Sequence, residues 1–212
     1  MDVEVYLDTS CPFCYIGKRN LETALKEFGE DKFNVIYKSF ELDNQAEKYP
    51  TKSLYETLAM RYNSTEEAVK ENNKPLISNA KKIGITLNLD NIVPSNTRDA
   101  HRLIKYAAET GHEHDVLEAL YYAHFTENKN LADFETLVEI ASNNGLDANK
   151  TRVMLKDASI YTEEVIADEN YAYVLGIQGV PFFIFNKTHA LNGARESQHY
   201  IDAILQASGD EK

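Results

Sequence analysis

The chain has 212 residues, 43% of them hydrophobic and 26% charged, with a formal net charge of −12. This is the composition of an ordinary globular protein, with room for one substantial core or two small ones. So acidic a surface is repelled by phosphate backbones and anionic lipid, and no apolar run reaches the roughly 18 residues of a membrane span, so neither nucleic acid nor membrane is expected as a partner.

The start, Met1-Asp2-Val3-Glu4-Val5, has neither the basic nor the apolar region of a signal peptide, so a cytoplasmic location is expected. Val3 to Leu7 alternate and are bounded by Asp8-Thr9-Ser10, which predicts a short strand. From Pro12 the period becomes helical. Leu21, Ala24, Leu25 and Phe28 share one face, and Gly29 is a natural stop. Phe33 to Leu42, rich in β-branched and aromatic residues, predicts a second strand and closes a right-handed β-α-β unit.

From about Thr51 to Tyr173 the pattern is one amphipathic helix after another. Ser64-Thr65-Glu66-Glu67 has the form of a capping box. Asn96 or Thr97 opens a helix carrying Ala100, Leu103, Ile104 and Ala107. Further helices are expected near Glu113 to Phe125, Asp133 to Asn143, Ala148 to Leu155 and Tyr161 to Val174. Phe182 to Phe185 is a continuous apolar run that fits a buried strand, with His189 to Leu191 as its hairpin partner. A last helix turns Tyr200, Ile201, Ile204 and Leu205 inward. The chain is therefore read as α/β, with segments 1–45 (β-α-β), 46–170 (helical) and 171–212 (β-β-α).

Its two cysteines form one Cys-x-x-Cys, Cys11-Pro12-Phe13-Cys14, where a strand hands over to a helix. Pro12 suits the first helical position, where its missing N–H is no loss. That makes Cys11 the N-cap and points its sulfur at the free amides of Phe13 and Cys14 and at the positive end of the helix dipole. A thiolate is favoured there, so the Cys11 pKa is expected below its ordinary value of about 8.5. Cys14, inside the first turn, is expected to be less exposed and less acidic. Cys11 would attack or leave and Cys14 resolve the mixed disulfide, with Pro12 and Phe13 as candidate substrate contacts. Two other readings compete. A metal site would need further ligands, with His101 or His124 brought in by folding, and none is expected. A pair of inert, buried thiols also fits the spacing.

Gly176-Ile177-Gln178-Gly179-Val180-Pro181 leads into the terminal strand. A cis Val180-Pro181 bond would present the Val180 backbone to an extended substrate, making Val180 and Pro181 candidate binding residues; a trans proline that merely ends a loop is the alternative.

The stretch Leu7-Asp8-Thr9-Ser10-Cys11-Pro12-Phe13-Cys14-Tyr15-Ile16-Gly17-Lys18 resembles the DsbA family of the thioredoxin superfamily, in its cytosolic FrnE-like branch. So do Gly176-Ile177-Gln178-Gly179-Val180-Pro181-Phe182-Phe183, Asn96-Thr97-Arg98-Asp99-Ala100-His101-Arg102-Leu103 and Phe125-Thr126-Glu127, so that the likeness spans nearly the whole chain. The resemblance implies a thioredoxin-like fold with a large all-helical insertion and a cis Pro181 facing the dithiol. It also implies disulfide oxidoreductase or isomerase activity without a bound cofactor, on thiol- or disulfide-bearing proteins or small thiols, with glutathione as a candidate redox partner. Phe13 departs from the pattern, where many FrnE-like members carry Trp, and leaves the redox potential open. Kappa-class glutathione transferases and 2-hydroxychromene-2-carboxylate isomerases share the architecture but have Ser for the first Cys. Cys11 and Cys14 argue against that activity. A non-catalytic adaptor that reuses the fold is the other rival.

Of the remaining residues, His101 is either a modulator of Cys11 or a hydrogen-bonded helix histidine. Tyr121, Tyr122 and Phe125 are expected to pack in the core of the insertion or to line its groove. Lys18 and Arg19 could add their charge to thiolate stabilisation, but are expected on an exposed helix surface. Glu163, Glu164, Asp168 and Glu169 are expected on a solvated face.

Overall fold

Six residues at the start of the chain become an inner strand of a small sheet. In a computed structural model, which describes residues 1–209, β1 (Asp2–Leu7) pairs in parallel with β2 (Asn34–Ser39) and antiparallel with β3 (Phe182–Phe185). β3 in turn pairs antiparallel with β4 (His189–Asn192), giving the order β2-β1-β3-β4. α1 (Pro12–Phe28) crosses from β1 to β2 and packs beside α9 (Ser197–Ser208). The opposing residues Val5 and Phe183 are both buried, and the Phe183 ring meets Tyr200 of α9 edge-on at 4.9 Å. Tyr6, one residue out of phase with Val5, packs with Ala172 and Ile177, flanked by Phe40, Val180, Phe182 and Ile184. Having both neighbours and both faces covered explains why β1 is buried almost throughout.

The chain divides into two compact units, Met1–Leu42 with the described residues from Glu164 on, and Asp43–Glu163. In the first, α8 (Thr162–Val174) brings acidic side chains to the free edge of β2. Asp168 accepts the Ser39 N–H at 2.9 Å and pairs with Lys38 at 3.0 Å, and Glu169 accepts the Glu41 N–H at 3.1 Å. The expected solvated face is thus corrected for these two. Strand-edge amides need acceptors, and the two carboxylates supply them.

The second unit is helical among its described residues: α2 (Leu54–Arg61), α3 (Glu66–Lys82), α4 (Arg98–Ala108), α5 (Glu113–Phe125), α6 (Phe134–Asn143) and α7 (Ala148–Lys156). The capping box expected at Ser64 does not form. Thr65 is the N-cap of α3, its hydroxyl accepting the Ala68 N–H at 3.2 Å, so no Glu stands at the third helical position. The box forms one helix earlier, between Ser53 and Glu56. Tyr121 and Phe125 are buried and stack at 6.2 Å, whereas Tyr122, next along the same helix, is half-exposed and is not part of that core.

Arg102 on α4 is buried and ties the unit together. Its guanidinium donates to the carbonyls of Ile160 (2.7 Å), Met154 (2.8 Å) and Asp157, and to Asp99 Oδ1 (2.7 Å), while Asp99 also receives Lys48 at 2.6 Å. Burial opposes ionisation of Asp99, but the hydrogen bonds from Lys48 and Arg102 outweigh it and hold the carboxyl below its ordinary value.

Arg102→Met is expected to cost about 3–5 kcal/mol, because it leaves three carbonyls without their donor and Asp99 with Lys48 alone, and urea unfolding should show the loss. Because the Asp99 pKa is depressed in the fold, its contribution is fully present above the unfolded value of about 3.9 and is lost as pH falls through the lower folded value. The stability gap between the parent and Asp99→Asn should therefore be level above about pH 5 and narrow as pH falls below the unfolded value in acid-unfolding curves.

Candidate active site

β1 ends at Leu7, and Asp8 turns the chain. The Asp8 carbonyl accepts the Cys11 N–H at 3.1 Å. Its carboxylate accepts the Ser10 N–H at 3.1 Å on one oxygen and the Leu42 N–H at 2.7 Å on the other. Cys11 then takes the N-cap position of α1 in an extended conformation, and Pro12 opens the helix. The Cys14 N–H donates to Cys11 Sγ at 3.4 Å and to the Cys11 carbonyl at 3.0 Å. The sulfur therefore holds the place that a Ser or Asp oxygen fills at other helix starts.

Both thiols are free. Cys11 is 4% exposed and Cys14 1%, while Phe13 between them is 50% exposed. The Cys11 thiol reaches the Val180 carbonyl at 3.7 Å, and the Val180-Pro181 peptide bond is cis. Burial pushes the Cys14 thiol well above its ordinary range. A hydrogen bond with Cys11, its charge and the charge of Asp8 add to the rise, and the Asp8 backbone partly offsets it.

Gly17, inside α1, accounts for how closely the proline loop approaches. A Cβ at this position would stand 3.0 Å from Phe183 Cζ, 3.1 Å from Pro181 Cγ and 3.3 Å from the Tyr200 hydroxyl. That hydroxyl accepts the Arg195 N–H at 3.4 Å. Burial raises the phenol's pKa, the Arg195 amide opposes the rise and the nearby Cys14 adds to it.

Cys11, Pro12, Phe13, Cys14, Val180 and Pro181 thus share one unit, and the dithiol sulfur meets the proline loop. His101 is 1% exposed on α4 of the helical unit. Lys18 corrects the expectation of an exposed cation. It is 2% exposed and ion-paired with Glu22. Four residues after Cys14, it falls on the inward face of α1. Arg19, one step round the helix, lies over the Tyr15 ring at 5.8 Å. The pattern reading of Asp8, Gly17 and Tyr200 assigns them places in the fold but no role at this site. Two of them left signals: an Asp at a strand end two residues before Ser10 suggests a side-chain turn, and a glycine inside a helical pattern suggests close backbone packing. Among the described residues no group of three or more His, Cys, Asp or Glu is placed to hold a metal, and no helix is long and apolar enough to cross a membrane.

Residues 2–205 match the profile of the family described as DSBA-like thioredoxin domain. The fold is similar to that of a probable DsbA oxidoreductase from Streptomyces coelicolor, with a TM-score of 0.94 and 34% identity over 100% of this chain and 92% of that one. The chain is 27% identical to the uncharacterized protein YwbO of Bacillus subtilis (strain 168), over 95% of its own length and 94% of the relative's. It also shares its fold with a 2-hydroxychromene-2-carboxylate isomerase, with a TM-score of 0.74 and 17% identity over 100% of both chains.

Gly17→Ala sets a helix-propensity gain of about 1 kcal/mol against an overpacking cost of about 1–3 kcal/mol. Because the neighbours are ring atoms of a packed core, the cost should prevail. A net destabilisation of about 1 kcal/mol is expected in chemical denaturation.

Proposed function

The chain belongs to the DSBA-like thioredoxin domain family, and on that premise we propose that it is a thiol–disulfide oxidoreductase or isomerase working through Cys11 and Cys14. The observation that carries the reading is the N-cap sulfur: Cys11 receives the Cys14 amide and lies against the Val180 carbonyl. An amide at the open end of a helix stabilises an anion, and the thiolate is the reactive form of cysteine.

Cys11 gives its proton to solvent, and its sulfur attacks one sulfur of a substrate disulfide R–S–S–R′. That bond breaks, R′–S⁻ leaves and is protonated, and Cys11 is joined to R in a mixed disulfide. Cys14 then loses its proton and attacks the Cys11 sulfur. R–S⁻ departs and is protonated, leaving a Cys11–Cys14 disulfide. Two electrons have passed from the dithiol to the substrate. In isomerisation a second thiol of the substrate displaces Cys11 instead, and no net electrons move. Two equivalents of a small thiol such as glutathione, oxidised to its own disulfide, would return the dithiol to its reduced form. No bound cofactor enters these steps.

Phe13 at the surface and the Val180 backbone offer an apolar contact and a strand-pairing edge to a thiol- or disulfide-bearing protein. A cytoplasmic setting, where thiols are kept reduced, would favour reduction or isomerisation over net oxidation.

At neutral pH iodoacetamide is expected to label Cys11 well before Cys14, whose thiol is held protonated by burial. Equal labelling of the two would sink the assignment. Cys14→Ser should accumulate mixed disulfides with model disulfide substrates, and Cys11→Ser should lose exchange altogether. A Cys11→Ser chain that keeps full cellular function would point to an adaptor instead.

A further inference from the structure

We propose that Asn192 is a site of spontaneous succinimide and isoaspartate formation, promoted by the Arg195 guanidinium on its carbonyl, and that this conversion unties the rung of the sheet beside the proline loop. The site and its tests stand apart from the redox reading above.

Asparagine is thermolabile, most of all before glycine, whose missing side chain leaves the next amide nitrogen open to the Asn carboxamide. The chain has two such pairs, Asn144-Gly145 and Asn192-Gly193. At the first the carboxamide is tied. Asn144 Nδ2 donates to the Ile140 carbonyl at 2.8 Å, and the residue is half-buried at the C-terminal cap of α6. At the second, Asn192 is exposed at the end of β4, and among the described residues its carboxamide makes no hydrogen bond.

β4 is an outer strand of the sheet. Asn192 opposes Phe182 in the last pair of the ladder, and beyond it the Gly193 N–H donates to the Pro181 carbonyl at 2.8 Å. Proline has no N–H to return a second bond, so the Gly193 nitrogen is held by one hydrogen bond at a sheet end. The same peptide group is met by a cation on its other side, where Arg195 Nε donates to the Asn192 carbonyl at 3.0 Å. Arg195 is itself fastened. Its carbonyl accepts from Asn20 Nδ2 at 2.7 Å, and its N–H donates to the Tyr200 hydroxyl at 3.4 Å. When the Gly193 nitrogen loses its proton, the negative charge is shared with the Asn192 carbonyl oxygen. A guanidinium already aimed at that oxygen stabilises the charge as a preorganised donor does an oxyanion.

The Gly193 N–H gives its proton to solvent hydroxide, and the nitrogen attacks Cγ of Asn192. A new N–C bond closes the ring, the bond from Cγ to the carboxamide nitrogen breaks, and that nitrogen takes a proton from water and leaves as ammonia. Water then opens the succinimide at one of its two carbonyls. Opening at the side-chain carbon gives Asp. Opening at the main-chain carbon gives isoaspartate, in which the chain runs through Cβ and Cγ. The net change is amide plus water to carboxylic acid plus ammonia, and no electrons are transferred. The ring has no N–H for Pro181, and isoaspartate lengthens the backbone by one carbon, which moves the Gly193 amide out of register. Val180, whose carbonyl meets Cys11, adjoins the residue so released.

The full chain is incubated in mildly alkaline buffer. Peptides covering both pairs are followed by mass, with a gain of about 1 Da on deamidation, and by labelling with an isoaspartyl methyltransferase. Asn192 should convert at least about fivefold faster than Asn144 in the folded chain, and in urea the two rates should draw level. An intact Asn192, an Asn144 that keeps pace in the folded chain, or a preference that survives in urea overturns the proposal. Arg195→Met should slow conversion at Asn192 by about threefold or more, as loss of a charge-assisted hydrogen bond requires, and an unchanged or faster rate overturns it too. In the isoaspartate form the Gly193 amide should exchange with deuterium at least about tenfold faster than in the parent. An amide that exchanges no faster overturns the untied rung.

Discussion

The first amides of an α-helix have no carbonyl within the helix to bond, and something outside must meet them. In this protein a sulfur does so. The Cys14 N–H points at Cys11 Sγ, and the helix that begins there also fixes where Cys14 lies, one turn in and more deeply buried. Two chemically identical side chains three residues apart are made unlike by this contact and by the burial of the second. Cys11 sits at the mouth of the helix opposite a carbonyl, whereas Cys14 is walled in by the core. The sheet, the proline loop and the glycine in α1 hold that arrangement in place.

Acidic side chains that accept from main-chain amides form a second theme. Asp8 receives Leu42, Asp168 receives Ser39 and Glu169 receives Glu41. Hydrogen bonds to charged groups contribute about 1.5–3 kcal/mol each, more than neutral ones. The three amides lie at the last residue of β2 and on the stretch just after it, before the chain enters its helical unit. In a protein of net charge −12, these carboxylates are structural ties as well as sources of solubility.

Much of the fold was legible from local pattern. β1 and β3, the helix after Pro12 and the run of amphipathic helices are encoded in spacing that period and capping rules detect, and the strand-to-helix handover at Cys11 followed from the change of period with Pro12 at its start. The misreadings arose where a side chain's partner is distant in sequence. Lys18 reads as a surface cation until α1 is seen to turn it inward. Asp168 and Glu169 look like any acidic helix face, because the amides they meet lie 129 and 128 residues away. The Ser64 box failed by one position, since Thr65 competes equally well for the N-cap. Asp8 was quoted only as part of a turn: nothing local says that its second oxygen reaches Leu42, 34 residues on.

The carboxylates along β2 have a consequence for how this protein behaves in a crowd. β2 is an outer strand of its sheet, and unpaired amides on such a strand are a ready template for another chain. Here Asp168 and Glu169 already occupy those of Ser39 and Glu41. A neighbouring polypeptide seeking to extend the sheet past the end of β2 would have to displace two anions first, so the stretch open to such pairing is shortened at the end where α8 lies.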